Sequence, residues 1–199
     1  MKTEIEVKFL DVDFDVLREK LKQLGGRCVQ PMRLMRRTLI EPPELAARKA
    51  FIRVRDEGDK VTLTYKQFNE ISLVGAQEIE VTVSSFEDTI ELLAQAGLVH
   101  KAFQESKRET WHLGDVEVVL DEWPWLKPYI EIEGLSEEAV KATAAQLGFD
   151  WNDAVFGKVT SAYQVQYPEG NASKLNTIPL VAFNQSLPDI ISGRKDTVK

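Results

Sequence analysis

Cysteine is almost absent from this 199-residue chain. Cys28 has no partner, so no intrachain disulfide can form, and a reducing, cytoplasmic location is expected. No stretch approaches the roughly 20 apolar residues that span a bilayer. The N-terminus, Met1-Lys2-Thr3-Glu4, runs straight into an alternating pattern without an apolar signal core. No membrane partner is therefore expected. The basic excess of a nucleic-acid-binding surface is missing too, because the formal net charge is −7. That balance leaves room for a small phosphorylated ligand held by a local cluster of Lys and Arg. His100 and His112 are too few and too far apart for a histidine metal site. Neither a nucleophile elbow nor a Walker glycine loop occurs. The length fits about one domain with a sizeable core.

What is present, over the first two thirds, is period-two alternation. Ile5, Val7 and Phe9 share one face of a first strand, with Glu4, Glu6 and Lys8 on the other. Asp13 reads as the N-cap of a helix carrying Phe14, Leu17, Leu21 and Leu24, which Gly25-Gly26 ends. A long strand is expected over Arg27 to Ile40, broken by Pro42-Pro43. Strands follow around Ile52 to Arg55, Val61 to Lys66 and Glu78 to Val83, then Lys107 to Leu113, Val116 to Asp121 and Tyr129 to Glu133. Ser85 and Ser136 open two more helices, Gly148 closes the last, and a short helical segment covers Ser161 to Gln166. From Pro168 the periodicity stops. Residues 168–199 read as a C-terminal tail, partly ordered at most. Its apolar run Leu180-Val181-Ala182-Phe183 is able to dock on the body or on a neighbouring subunit.

The polar faces carry an unusual arrangement. Glu4/Glu6, Arg53/Arg55, Glu78/Glu80 and Glu131/Glu133 are like-charged pairs two residues apart. Such a pair lies on the same side of its strand, separated by roughly 7 Å. One pair is an ordinary solvated face. Four call for a compensating cause, since like charges repel. The simplest cause is that these faces share a cavity while the apolar faces point outwards under amphipathic helices. An antiparallel sheet of about eight strands closes into a barrel of suitable width. The expected interior is Glu4, Glu6, Lys8, Arg53, Arg55, Lys66, Glu78, Glu80, Arg108, Asp121, Glu131 and Glu133. Carboxylates suit a hard Mg²⁺ or Mn²⁺ ion, and Arg and Lys suit phosphate. Together they describe a metal–polyphosphate site.

In order along the chain stand Glu4-Ile5-Glu6-Val7-Lys8, Arg53-Val54-Arg55, Lys66, Glu78-Ile79-Glu80, Arg108, Asp121 and Glu131-Ile132-Glu133. The first run matches the E-x-E-x-K signature, and the series as a whole resembles the CYTH superfamily of triphosphate tunnel metalloenzymes. The resemblance covers about residues 1–167, taken as one domain. It implies an α+β fold: a closed eight-stranded antiparallel β-barrel with amphipathic helices packed outside. It implies triphosphate bound by Lys8, Arg53, Arg55, Lys66, Arg108 and, at the loosest match, Lys158. Divalent metal would be held by Glu4, Glu6, Asp121, Glu131 and Glu133, with Glu78 and Glu80 orienting the basic groups. Lys8, Glu4 and Glu6 are the expected catalytic residues. Two departures stand out: Arg36-Arg37-Thr38-Leu39-Ile40 replaces a stretch where many members have an Asp and a Tyr, and the His-Phe pair of one cyclase branch is absent.

Three functions fit these residues. The leading one is a metal-dependent triphosphatase acting on inorganic or organic triphosphate. A class IV adenylate cyclase, with the ribose 3′-hydroxyl as nucleophile, is the second. A non-catalytic polyphosphate or nucleotide module is the third, disfavoured by five acids that would repel its ligand. The partners expected are a small-molecule triphosphate and, as an oligomeric option, a second copy of the chain. Trp125 or Tyr129 allows either stacking on a base or packing of the Trp123-Pro124-Trp125 tip. Arg33, Arg36 and Arg37 allow either a solvated edge or an extension of the phosphate path.

Overall fold

The computed structural model describes residues 2–68 and 76–194, the side chains of residues 2–4 and 76 excepted. Eight strands form one antiparallel sheet: β1 (Lys2–Leu10), β2 (Arg27–Ile40), β3 (Ala50–Asp56), β4 (Val61–Phe68), β5 (Ala76–Val83), β6 (Ala102–Leu113), β7 (Val116–Glu122) and β8 (Tyr129–Gly134). A two-residue strand, β9 (Leu180–Val181), joins β6 in parallel. The helices are α1 (Phe14–Gln23), α2 (Pro43–Ala46), α3 (Phe86–Gln95), α4 (Glu137–Leu147), α5 (Val159–Gln166) and α6 (Asp189–Ser192). Strand order is β2-β3-β4-β5-β1-β8-β7-β6-β9, and β6 pairs with β2 as well as with β7. No helix of the described residues is long and apolar enough to cross a membrane.

Local chemistry sets the element ends. The Asp13 carboxylate accepts the N–H groups of Asp15 and Val16, and the Ser85 and Ser136 hydroxyls accept those of Asp88 and Ala139. Each cap satisfies donors a helix N-terminus leaves open, stabilising it by about 1 kcal/mol. Gly148 ends α4 at φ 84°, a left-handed value that costs glycine little. Pro31 lies inside β2 between two register shifts, Cys28/Gln30 and Gln30/Arg33. A residue without an N–H fits a strand at such an irregularity. The strand expected from Lys107 begins five residues earlier, at Ala102. Its inward positions there are Gln104 and Ser106, and its outward ones Phe103 and Glu105, so no clean apolar alternation marks it.

The apolar faces point away from the polar ones and are covered. Val7, Phe9, Val118, Leu120, Ile130 and Ile132 pack against Phe14, Leu17 and Leu21 of α1 and Val140, Ala144 and Leu147 of α4. Ile40 and Val54 pack against Phe86, Ile90 and Leu93 of α3. A third cluster joins Trp123, Tyr129 and Tyr163 to Ala172, Leu175, Val181 and Ile191. The C-terminal stretch therefore lies on the body as far as residue 194, held by single apolar anchors rather than by a periodic face. Tyr163 and Tyr167 also donate their hydroxyls to the Pro124 and Trp125 carbonyls.

The outward face carries stability and the inward face does not depend on it. Ile132 is fully buried on the outer side of β8, between Glu131 and Glu133. Ile132→Ala is expected to lower the unfolding free energy by about 2–5 kcal/mol. Urea titration should show an earlier midpoint with an unchanged slope.

Candidate active site

The inward faces line one cavity of about 390 Å³. Strand register explains which side chains meet. Glu117, Glu133 and Glu6 form a carboxylate row across β7, β8 and β1, because Glu117 pairs with Glu133 and Glu133 with Glu6. One step along, Lys8 pairs with Glu131. On other walls, Arg33 pairs with Arg108 and Arg108 with Asp121, while Arg37 pairs with both Gln104 and Arg55. Arg53 pairs with Thr64 and Thr64 with Glu80; Lys66 pairs with Glu78. Same-side neighbours on adjacent strands stand close enough for direct interaction.

Lys8 is buried, and its ammonium donates to the Gly157 carbonyl (2.7 Å) and Glu6 (3.0 Å) and lies 3.3 Å from Glu131. Those contacts use the three donors an ammonium has. Burial alone would lower its pKa, but Glu131 and Glu6 outweigh that and raise it. Arg108 binds Asp121 through Nε (2.7 Å) and Nη2, and Glu131 through Nη2 (2.7 Å). Glu131 is buried as well, yet Lys8 and Arg108 hold its carboxyl well below the usual range. Arg55 is paired with Glu57 at 2.6 Å, and Glu57 also faces Arg33 and Lys60.

Two cations are poorly compensated. Arg37 donates Nε to Gln104 (2.9 Å), and its guanidinium lies 4.2 Å from the Trp123 ring centre. Among the described residues no carboxylate is within ion-pairing distance of it. Burial and the like charge of Arg53 push its pKa down to about 9. Arg53 reaches Glu80 only at 3.5 Å, and its buried Nε has no hydrogen-bond partner among the described residues. Burial and Arg55 push it down to about 10. Lys158 lies over the rings of Phe51 and Phe68, and burial lowers its pKa too. Among the described residues, nine basic and seven acidic side chains line the cavity of a chain whose net charge is −7. The cavity is thus locally basic, and its least satisfied groups are cations.

Carboxylate oxygens are the donors a Mg²⁺ or Mn²⁺ ion prefers. Among the described residues, no three Asp, Glu, His or Cys side chains gather closely enough to hold a metal by themselves. Of the five carboxylates expected to hold metal, Glu6, Glu131 and Glu133 line the cavity. Asp121 is fully buried behind Arg108 and does not line the cavity, and the Glu4 side chain lies outside the described residues. The acids that face the cavity suit an ion that takes one or two carboxylates and completes its shell with phosphate oxygens and water.

The structure brings Glu6, Lys8, Arg53, Arg55, Lys66, Glu78, Glu80, Arg108, Glu131, Glu133 and Lys158 together around this cavity. It splits the arginines of β2: Arg33 and Arg37 line the cavity, while Arg36 pairs outside with Asp56 and Glu87. Period two separates them, since Arg33 and Arg37 are an even number of residues apart. Glu57, Lys60, Glu117 and Asn176 also line it and carried no paired-charge signal. His112 is a surface group 3.6 Å from Glu117. Trp125 donates its indole N–H to the Gln185 carbonyl, so the tip packs on the C-terminal stretch.

The chain matches the CYTH domain model over residues 2–155. No curated protein matches it. Among solved structures, it is similar to the PH1012 protein of Pyrococcus horikoshii OT3, with 24% identity, TM-score 0.65 and coverage of 76% of this chain and 93% of that one. A "putative adenylate cyclase" from Vibrio parahaemolyticus aligns at 13% identity and TM-score 0.68, covering 79% and 95%. The Hippeastrum adenylyl cyclase-like protein HpAC1, described as having a dominant triphosphatase activity, aligns at 15% identity and TM-score 0.52, covering 79% and 91%. At these identities the likeness establishes the fold. With the family model spanning most of its length, the chain belongs to the CYTH family.

Proposed function

We propose that this chain is a metal-dependent triphosphatase whose substrate lies in a tunnel through a closed eight-stranded barrel, the ring being completed by the pairing of β2 with β6. The observation that carries the reading is the pair Arg37, half-buried, and Arg53, buried: mutually repelling and short of carboxylate partners. A polyanion threaded past them supplies the missing charge, and charge-assisted bonds to guanidinium are the strong kind. Arg53, Arg55, Lys66, Arg108 and Lys158 come from three strands and the segment before α5, so they reach phosphoryl groups in succession.

Three of these groups are held from behind. Glu57 fixes Arg55, Asp121 and Glu131 fix Arg108, and Thr64 links Glu80 to Arg53. Donors preorganised in this way stabilise charge that develops on phosphoryl oxygens during in-line attack by water. Lys8 spends its donors on Glu6, Glu131 and Gly157, so it orients the two carboxylates. Glu6 and Glu133, with Glu131 and Glu4 beside them in sequence pattern, are the residues that would hold Mg²⁺ or Mn²⁺. Such an ion offsets phosphate charge and lowers the pKa of a bound water. Hydrolysis is preferred over adenylate cyclisation because Trp125, a candidate for stacking on a base, is bonded to Gln185 instead. The lone, unpaired Cys28 agrees with a cytoplasmic setting.

Phosphate release from inorganic triphosphate is expected with Mg²⁺ or Mn²⁺ and should stop in excess chelator. Cyclic AMP as the main product from ATP, or full turnover in chelator, would overturn the assignment.

Two substitutions of buried cations should part company in stability. Arg53→Met removes a cation with an unsatisfied Nε, so the melting temperature of the ligand-free protein should not fall. Triphosphate affinity, read by calorimetry, should drop tenfold or more, the equivalent of about 1.5–3 kcal/mol. Lys8→Met instead strips Glu6 and Glu131 of their partner, and chemical denaturation should show a loss of about 3–5 kcal/mol.

A further inference from the structure

One wall of the cavity is built by residues beyond 155, where the match to the family model ends. Asn176 lies in a 3-10 turn, Ala172–Thr177, and lines the cavity. The turn is fixed by the fully buried Leu175 and by β9, which pairs with Phe103 and Gln104. Asn176 accepts a hydrogen bond from the Gln104 side chain (3.1 Å), and Gln104 in turn accepts one from Arg37 Nε (2.9 Å). Trp123 supports the guanidinium from one side. Among the described residues neither Nη of Arg37 nor the Asn176 amide nitrogen donates a hydrogen bond, and both side chains face the cavity. Tyr129, Phe51 and Phe68 also line the cavity, as do Lys158, Val159 and Thr160 at the start of α5.

We propose, resting on the triphosphate reading above, that Arg37 and Asn176 form an end subsite for an uncapped terminal phosphoryl group, walled by the C-terminal segment. The polarity of the subsite follows from its donors. Arg37 brings a charged fork and Asn176 an amide N–H₂; the relay through Gln104 occupies Arg37 Nε and the Asn176 carbonyl oxygen and leaves the Arg37 Nη groups and the Asn176 amide nitrogen as donors to the cavity. A neutral sugar or base placed there would leave the guanidinium desolvated and unpaired, which is costly. A terminal phosphoryl group carries the charge and the acceptor oxygens that satisfy both. An organic substituent would lie toward the other end of the cavity, beside Gln30, Lys60 and Glu117. The chain should therefore take triphosphates with one free phosphoryl end, whatever the other end carries, and reject those capped at both ends.

Calorimetry with inorganic triphosphate, ATP and diadenosine triphosphate, in chelator so that no hydrolysis runs, tests this. The wild-type protein should bind the first two and bind diadenosine triphosphate at least tenfold more weakly. Arg37→Met should weaken inorganic triphosphate tenfold or more, and Asn176→Ala about threefold to tenfold. Asn176→Ala is half-exposed and keeps the test valid should Arg37→Met fail to fold. Melting temperature separates the roles, because a merely structural contact would lower it without changing affinity. If both variants bind triphosphate like the wild type, or the doubly capped ligand binds as tightly as ATP, the end subsite is wrong and the triphosphate reading stands. If the wild-type protein binds none of the three, both fall.

Discussion

Three guanidinium groups meet on two neighbouring strands, and the rest of the molecule is arranged around that repulsion. Arg37 and Arg55 are register partners, and Arg53 stands one inward position along from Arg55. In the interior such a cluster is held only if counter-charges face it or a ligand supplies them. The pairing pattern does part of this. Strand β8, which carries Glu131 and Glu133, is four strands from β3 along the sheet. Acids and bases thus sit on different walls, with Arg108 and Lys8 joining them. Where the balance is incomplete, at Arg37 and Arg53, the cavity calls for an anion.

That arrangement inverts the usual division of a β-sheet. Polar residues face inwards, so the apolar residues face out, and stability has to come from helices laid on the outside. α1 and α4 cover β1, β7 and β8, and α3 covers β2 and β3. The site and the stabilising contacts then occupy opposite faces of the same strands. Ile130 and Ile132 pack outwards while Glu131 and Glu133 line the cavity. Substitutions on the two faces should affect different properties to the extent that ion pairs such as Lys8–Glu131 do not couple them. Lys8 is the exception, since one ammonium ties β1, β8 and the Gly157 turn together.

The C-terminal stretch shows how a site is completed by residues without a pattern of their own. Leu175, Val181 and Ile191 are spaced irregularly, and each fills one gap in the cluster around Tyr163 and Trp123. Their docking puts Asn176 beside Gln104. Nothing in the composition of residues 168–199 announces that, because isolated anchors produce no period.

Much of this protein was legible in its sequence. Alternation located the strands, capping residues located α1, α3 and α4, and like-charged pairs two apart located the inward faces, since those signals arise within a few residues of chain. The order of motifs pointed to the family for the same reason. Only the tertiary structure decided which charges would compensate which. Asp121, expected as a metal ligand, is set by register opposite Arg108, where it is fully buried. Arg37 gave an ambiguous signal among three arginines until strand direction sent it inwards and Arg36 outwards. Gln104 and Asn176 gave none, because their roles depend on partners 67 or more residues away, or on a single turn docked from outside the sheet. Local sequence fixes which face a side chain takes; ion pairing and burial between distant strands fix what that side chain can do.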